Sequence, residues 1–304
     1  MTPRQALQLA APRTWAASLC PALFGVLYCW NRGAPLGVVR AAALTAACVL
    51  LQSAVNTLND YFDFADGTDS RSDHVEESDS VLVYGGFDPK QALRLGWIYL
   101  ALGAAAGLAC CIGRGWTPVL AGLTGGAAVL LYSAGPAPLS GLPVGELVSG
   151  FVMGGLIPVG IMGCAGAAPD FKILLWSLPL ILGIGLIMMT NNSCDIEKDV
   201  RAGRRTLPSL LGRDSARRLY HGLAAVWLLL LAAFPVLLLG TPGWIGTALL
   251  AVFASGSFRK LLGFRLEPEE RIVQIKTVVQ ANLLGNGAYL AALALALLGG
   301  RVHG

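Results

Sequence analysis

The chain has 304 residues, 55% hydrophobic and only 13% charged, with mean hydropathy +0.64 and formal net charge +4. A soluble domain carries about 25% charged residues, so this composition leaves too little polar surface for a soluble globule and points to a polytopic membrane protein. The small surplus of base is sorted by position along the chain, which makes membrane lipid a partner and excludes nucleic acid.

Stretches without a charged residue cover 14–31, 41–59, 95–113, 115–145, 147–169, 173–194, 219–258 and 277–300. A helix needs about 20 residues to cross the hydrocarbon core. The stretch 219–258 is long enough for two spans, with Thr241-Pro242-Gly243 as the turn between them. The stretch 115–145 reads as one span followed by the Gly/Pro-rich loop "SAGPAPLSGLPVG". Lipid cannot satisfy open backbone groups, so the spans are helices. The expectation is an all-α fold: nine transmembrane helices in one bundle around a central cavity, forming a single domain over residues 1–304.

With the N-terminus in the cytoplasm, the inside segments 1–13, 60–94, 133–146, 195–218 and 259–276 hold 17 of the 22 basic residues. The outside segments hold Arg32, Arg40, Arg114, Lys172 and Arg301. This bias predicts a multi-pass protein of the cell (inner) membrane, N-terminus in and C-terminus out. Arg4 and Arg13 flank a proline-punctuated stretch, and no small-x-small cleavage site follows the first apolar run, so no signal peptide is expected. The seven cysteines lie almost wholly in apolar runs without metal-type spacing and read as small buried hydrophobes. His74, His221 and His303 are too scattered for a histidine metal site.

Nine of the eighteen acidic residues fall between Asp60 and Asp88. Asp69 to Asp88 reads as a solvated loop. Asn56, Asp60 and Asp63 are different, because they continue the second span. At about 100° per residue all three share one face of its last turns. An ionisable group inside a span costs a few kcal/mol and usually faces an aqueous cavity. Carboxylates one turn apart repel, so one is protonated or a cation sits between them. The spacing D-x-x-D-x-x-D-G does not match a calcium-binding EF-hand loop.

The pattern recurs where the sixth span closes, in "TNNSCDIEKDVRAGRRTLPSLLG" (190–212). Asn191, Asp195 and Asp199 are spaced i, i+4, i+8, and both clusters end spans at the same membrane surface. The repeat, at 56–69 and 191–207, points to an internal duplication. The second cluster adds Lys198, Arg201, Arg204 and Arg205. Carboxylates facing Arg and Lys suggest metal ions together with a polyphosphate: Mg2+ takes one or two carboxylates plus phosphate oxygens, and bases take the remaining anionic oxygens. A diphosphate at the surface above a lipid-lined cavity implies a substrate with a long apolar tail, and a polyprenyl diphosphate fits. An ion-coupled secondary transporter is the rival from another class, but its sites lie near the midplane. A membrane phosphotransferase lacks its D-G-x-x-A-R signature here.

At these two motifs the sequence resembles the UbiA superfamily of intramembrane aromatic prenyltransferases, in its 1,4-dihydroxy-2-naphthoate polyprenyltransferase (MenA) branch. "NTLNDYFDFADGTD" (56–69) fills the branch's first motif. "NNSCDIEKDVRAGRRTL" (191–207) fits the second, except that Cys194 stands where the branch has arginine. "RTWAASLCPALFG" (13–25) and "YSAGPAPLSGLPVGELVSG" (132–150) resemble its first-helix opening and the stretch after its fourth helix. The loop after the first motif is acidic here, where the branch carries a basic, proline-containing one.

The resemblance implies Mg2+-dependent transfer of a polyprenyl group to an aromatic acid acceptor. The acceptor would be 1,4-dihydroxy-2-naphthoate, in menaquinone biosynthesis, with hydroxybenzoate or another naphthoate as alternatives. Asp60 and Asp63 would hold one Mg2+, and Asp195 and Asp199 another. Asn56, Asn59, Asn191 and Asn192 would add neutral ligands or hydrogen bonds. Lys198, Arg204 and Arg205 would neutralise the departing diphosphate, on the cytoplasmic side. Tyr61 and Tyr132 would face the allylic cation, with Tyr132 also a candidate catalytic group.

Overall fold

A computed structural model describes residues 1–65, 81–84, 86–133, 138–166 and 170–299. Asp66 and Asp69 of the first motif, most of the acidic loop to Asp88, part of the Gly/Pro-rich loop and Arg301 lie outside the described residues. Among the described residues there is no strand.

The long helical stretches are α1 (Ala16–Asn31), α2 (Val38–Ala65), α3 (Pro89–Cys111), α4 (Trp116–Ser133), α5 (Gly145–Cys164), α6 (Leu178–Cys194), α7 (Arg213–Leu239), α8 (243–261) and α9 (Arg271–Leu298). Five helices among the described residues are long and apolar enough to cross a membrane: α2, α3, α5, α7 and the Pro268–Leu298 stretch that contains α9. The others fall short for local reasons. Helix α1 has 16 residues and α6 has 17, which reach about 24–26 Å at 1.5 Å per residue. Helix α8 changes winding at Leu250–Ala254 and ends on Arg259 and Lys260. The outward faces remain apolar: Trp97, Leu102, Leu229 and Phe253 are all exposed.

Helices α2 and α3 form one tight pair, and α1, α5, α6, α7, α8 and α9 pack into the main core. Small residues bring the backbones together, as helix association in lipid requires. Gly96 and Gly103 lie under Leu58 and Leu51 of α2, where an added Cβ would stand 2.7 and 2.9 Å from them. Gly150 of α5 meets the Ile181 carbonyl of α6, and a Cβ there would come within 2.6 Å. Helix α5 widens into a π turn over Gly150–Leu156, just before Pro158. Proline has no N–H to give to the preceding turn and its ring crowds it, so the looser winding ends where the proline begins.

Polar side chains stitch the core. Asn282 Nδ2 of α9 donates to Gly183 O of α6 at 2.9 Å, and Asn31 Nδ2 of α1 donates to Leu293 O of α9 at 3.0 Å. Thr190 Oγ1 donates to the Tyr220 hydroxyl at 3.0 Å, joining α6 to α7. Interhelical bonds of this kind contribute roughly 0.6 kcal/mol each. All seven cysteines are free thiols, five buried and two half-buried.

Candidate active site

The fold leaves a large cavity of about 1120 Å³. Leu100, Leu108, Leu123, Val129, Leu156, Ile187 and Leu283 are among its apolar walls, and residues of both sequence motifs share the same wall. From α2 come Asn56, Asn59, Asp60 and Asp63; from α6 and the turn after it come Asn191, Asn192, Asp195 and Lys198. Tyr132 and Arg204 complete the set of expected residues on the wall.

Helix α2 runs unbroken from Val38 to Ala65, so the shared face read from the sequence persists through Asp63. Asn59 Nδ2 donates to Asp63 Oδ2 at 2.7 Å, one turn on. Asn56 is fixed from outside its helix: its Nδ2 donates to Ala10 O at 3.0 Å and to Thr14 Oγ1 at 2.8 Å, and its Oδ1 accepts from Gln52 at 3.1 Å. The amide nitrogen therefore anchors the N-terminal segment, in which the capped helix Pro3–Leu9 precedes a left-handed Ala11 (φ 46°).

The second motif is arranged differently. Helix α6 ends at Cys194, Asp195 distorts (φ −99°, ψ 15°), and a short turn of helix resumes at Ile196. The face expected to carry Asn191, Asp195 and Asp199 together is thereby broken. Asn191 and Asp195 stay on the cavity and are gripped by Arg271, the first residue of α9: Nε donates to the two Asp195 oxygens at 2.9 and 3.1 Å, and a terminal nitrogen donates to Asn191 Oδ1 at 2.5 Å. Asp199 is only 2% exposed and is not part of the cavity wall. Thr206 Oγ1 donates to its Oδ2 at 2.9 Å and Arg204 stands 3.6 Å from its Oδ1. Burial pushes the Asp199 carboxyl up, against the pull of Arg204 and Thr206.

Two further expected residues stand apart. Arg205 is exposed and off the cavity, held by its backbone N–H to Gly141 O at 2.8 Å. Tyr61 packs into a small separate cluster with Leu9, Val81, Leu82 and Ala92, its ring edge-on to Phe62 at 5.4 Å. One residue beyond Ile196, Glu197 takes a two-pronged contact from Arg213, both at 2.7 Å. Partial burial works against its charge, but Arg213 prevails and holds the carboxyl below the usual glutamate range.

Sequence reasoning missed Arg271, Lys276, Gln52 and Arg13, all on the cavity. "RIVQIKTVVQ" (271–280) held the signal, since basic and amide residues recur at the start of an apolar helix. It also passed over Glu146, the single charge separating two of the uncharged stretches. Glu146 is 7% exposed, and its Oε1 accepts from Asn192 Nδ2 at 2.9 Å.

The donor set suits a divalent cation held together with an anion. Among the described residues no three His, Cys, Asp or Glu side chains form a closed metal cage. Three carboxylates from two helices (Asp60, Asp63, Asp195) face one space that Lys198, Arg204, Arg271 and Lys276 also line. A hard cation such as Mg2+ is satisfied by one or two carboxylates if phosphate oxygens supply the rest.

The chain matches the UbiA prenyltransferase family over residues 18–276. It is 29% identical to the 1,4-dihydroxy-2-naphthoate octaprenyltransferase of Bacillus subtilis, covering 90% of this chain and 87% of that one. The protein of the same name from Mycobacterium tuberculosis is 31% identical, covering 84% of this chain and 86% of its own. Among solved structures, a UbiA homolog from Archaeoglobus fulgidus bound to GPP and Mg2+ superposes with a TM-score of 0.64 at 17% identity, over 97% of this chain and 99% of that chain. At that identity the likeness speaks to the fold alone. Family match, relatives and cavity agree: this chain belongs to the UbiA prenyltransferase family and is a prenyltransferase.

Proposed function

We propose that the protein transfers a polyprenyl group from its diphosphate to an aromatic acid acceptor, 1,4-dihydroxy-2-naphthoate, in menaquinone biosynthesis, with Mg2+ as cofactor. The observation that carries this reading is the meeting of carboxylates from both motifs (Asp60, Asp63, Asp195) with five bases (Arg13, Lys198, Arg204, Arg271, Lys276) on the wall of one largely apolar cavity. The names of the two naphthoate-prenylating relatives support the choice of acceptor. All nine helices α1–α9 cross the membrane in this reading, with the N-terminus and the polar end of the cavity on the cytoplasmic side. The placement of 17 of 22 basic residues supports that orientation.

Bound Mg2+ supplies neutralisation of the diphosphate, which turns it into a better leaving group. Asp60, Asp63 and Asp195 would hold the metal, with Asn59 and Asn191 steadying the carboxylates. Lys198, Arg204, Arg271 and Lys276 take diphosphate oxygens and stabilise the charge that grows there as the C–O bond breaks. Asp199 seats Arg204. The apolar walls receive the prenyl chain and keep water from the allylic cation. Tyr132 presents its ring to that cation. The acceptor ring then attacks, and a ring carboxylate is lost as CO2 around this step.

Purified protein incubated with Mg2+, a polyprenyl diphosphate and a panel of naphthoates and hydroxybenzoates tests this directly. The expected product is the prenylated naphthoate lighter by CO2, read by mass. No prenylated product with any acceptor sinks the proposal; a prenylated hydroxybenzoate moves it to another acceptor.

A further inference from the structure

Two thiols stand together on the cavity wall, away from the carboxylates. Cys111 is the last residue of α3 and Cys164 the last of α5, and their sulfurs are 3.9 Å apart. Both line the cavity. Cys111 is half-buried, whereas Cys164 is 1% exposed. Cys111 Sγ donates to Gly107 O at 3.2 Å, so the hydrogen between the two sulfurs is that of Cys164.

The packing gives this pair a consequence. Helices α2 and α3 run antiparallel, Gly96 against Leu58 and Gly103 against Leu51, so Cys111 lies towards the first turns of α2, and Asp60 and Asp63 lie at the opposite end. At the Cys111 end, Ala41 and Leu44 of α2 and Cys110 of α3 belong to the main core. At the carboxylate end, Tyr61, Phe64, Ala92 and Leu95 pack in the separate small cluster. The α2–α3 pair is therefore joined to the core at one end and packs in a cluster of its own at the other. Asp195 follows α6, a helix of the main core. The tilt of the α2–α3 pair about its joined end thus sets how far Asp60 and Asp63 stand from Asp195.

We propose that Cys111 and Cys164 are a site of reversible oxidation, at which a hydroperoxide closes a disulfide between α3 and α5 and fixes the α2–α3 pair against the main core. Cys111, the less buried thiol, attacks the peroxide as its thiolate. The O–O bond breaks, an S–O bond forms, and one water leaves. The Cys164 sulfur then attacks that sulfenic acid. The S–S bond forms, the S–O bond breaks, and the second water leaves with the Cys164 proton. Closing from 3.9 Å to a bonded distance of about 2 Å takes a side-chain rotation and a small approach of the two helix ends. The bond lowers turnover because it restrains the movement of Asp60 and Asp63 relative to Asp195 as substrate enters and product leaves. This last step rests on the reading of the protein as a prenyltransferase with its metal between those carboxylates; the disulfide itself does not.

The test treats purified full-length protein in detergent with hydrogen peroxide, blocks remaining thiols by alkylation, and reads unreduced peptides by mass. A peptide linking Cys111 to Cys164 is expected, lost on reduction with dithiothreitol and lost in Cys111→Ser, but kept in Cys110→Ser. Prenyl transfer by the oxidised protein is expected to fall about tenfold and to recover on reduction, while Cys111→Ser shows no change between its treated and untreated forms. Absence of the linked peptide, or a link from Cys110 in its place, overturns the site. A complete link that leaves turnover within about twofold overturns the restraint. If the reduced protein transfers no prenyl group at all, the proposed function fails, and the mass result alone decides the disulfide.

Discussion

The ends of α2 and α6 carry the same kinds of residue, yet they are built differently. On α2 the helix is continuous, and Asn56, Asn59, Asp60 and Asp63 reach the cavity by helical spacing alone. On α6 the helix distorts at Asp195, and the chain beyond it is set by guanidinium groups: Arg271 on Asp195, Arg204 on Asp199, Arg213 on Glu197. A motif repeated in sequence is therefore not repeated in geometry. The first end offers acids from one rigid face. The second interleaves acid and base, and only part of it lines the cavity.

Chelation breaks both ends at once and has the largest expected effect. Prenyl transfer assayed after EDTA treatment should fall to background and return on addition of Mg2+. Asp60→Ala and Asp195→Ala should each lower turnover about a hundredfold or more while the protein still elutes as a folded species in detergent. Comparable turnover in either variant would remove that carboxylate from the metal site. Asp199→Asn sharpens the contrast. If Asp199 only seats Arg204, the loss should be nearer tenfold and should fall on the prenyl diphosphate KM; a loss as deep as that of Asp195→Ala would make it a ligand after all.

Arg271→Ala should raise the prenyl diphosphate KM by about tenfold. Arg271→Lys should restore part of it, because a single ammonium cannot span Asp195 and Asn191 as the fork does. The smallest effect belongs to the Arg213–Glu197 contact. The folded carboxyl titrates below its unfolded value, so the contact contributes stability above about pH 4.3 and loses it as pH falls through the lower folded value. Thermal melts should show Glu197→Gln slightly less stable than the parent at pH 7, with the gap closing towards pH 3.

The face on α2 was legible because helical periodicity is local: Asn56, Asp60 and Asp63 need only an unbroken helix to align. Asp199 lies off the cavity wall although its spacing puts it on the face of Asn191 and Asp195; the helix distorts at Asp195, and nothing in the spacing announces the distortion. Arg271 was invisible as a site residue because its partners lie 76 and 80 positions earlier; only packing of α9 against α6 joins them. Arg205 and Arg204 are neighbours in the sequence, yet only Arg204 lines the cavity, since Gly141 holds the backbone between them in an orientation that composition cannot convey. The hydropathic runs match the helical stretches well, but α1 and α6 are shorter than a full crossing because they begin late: α1 starts after the separate turn Pro12–Thr14, and α6 starts at Leu178, with Pro179 in its first turn, after the separate short helix Lys172–Trp176.

Asn56, on the cavity wall, is tied to Ala10 and Thr14, near the start of the chain. Anything that peels away the first dozen or so residues, whether a protease or a bulky fusion partner, would therefore strip two acceptors from that amide and unsettle the carboxylates one and two turns further along. The leading segment is thus both a tie for Asn56 and, through Arg13 and Thr14, a part of the cavity wall.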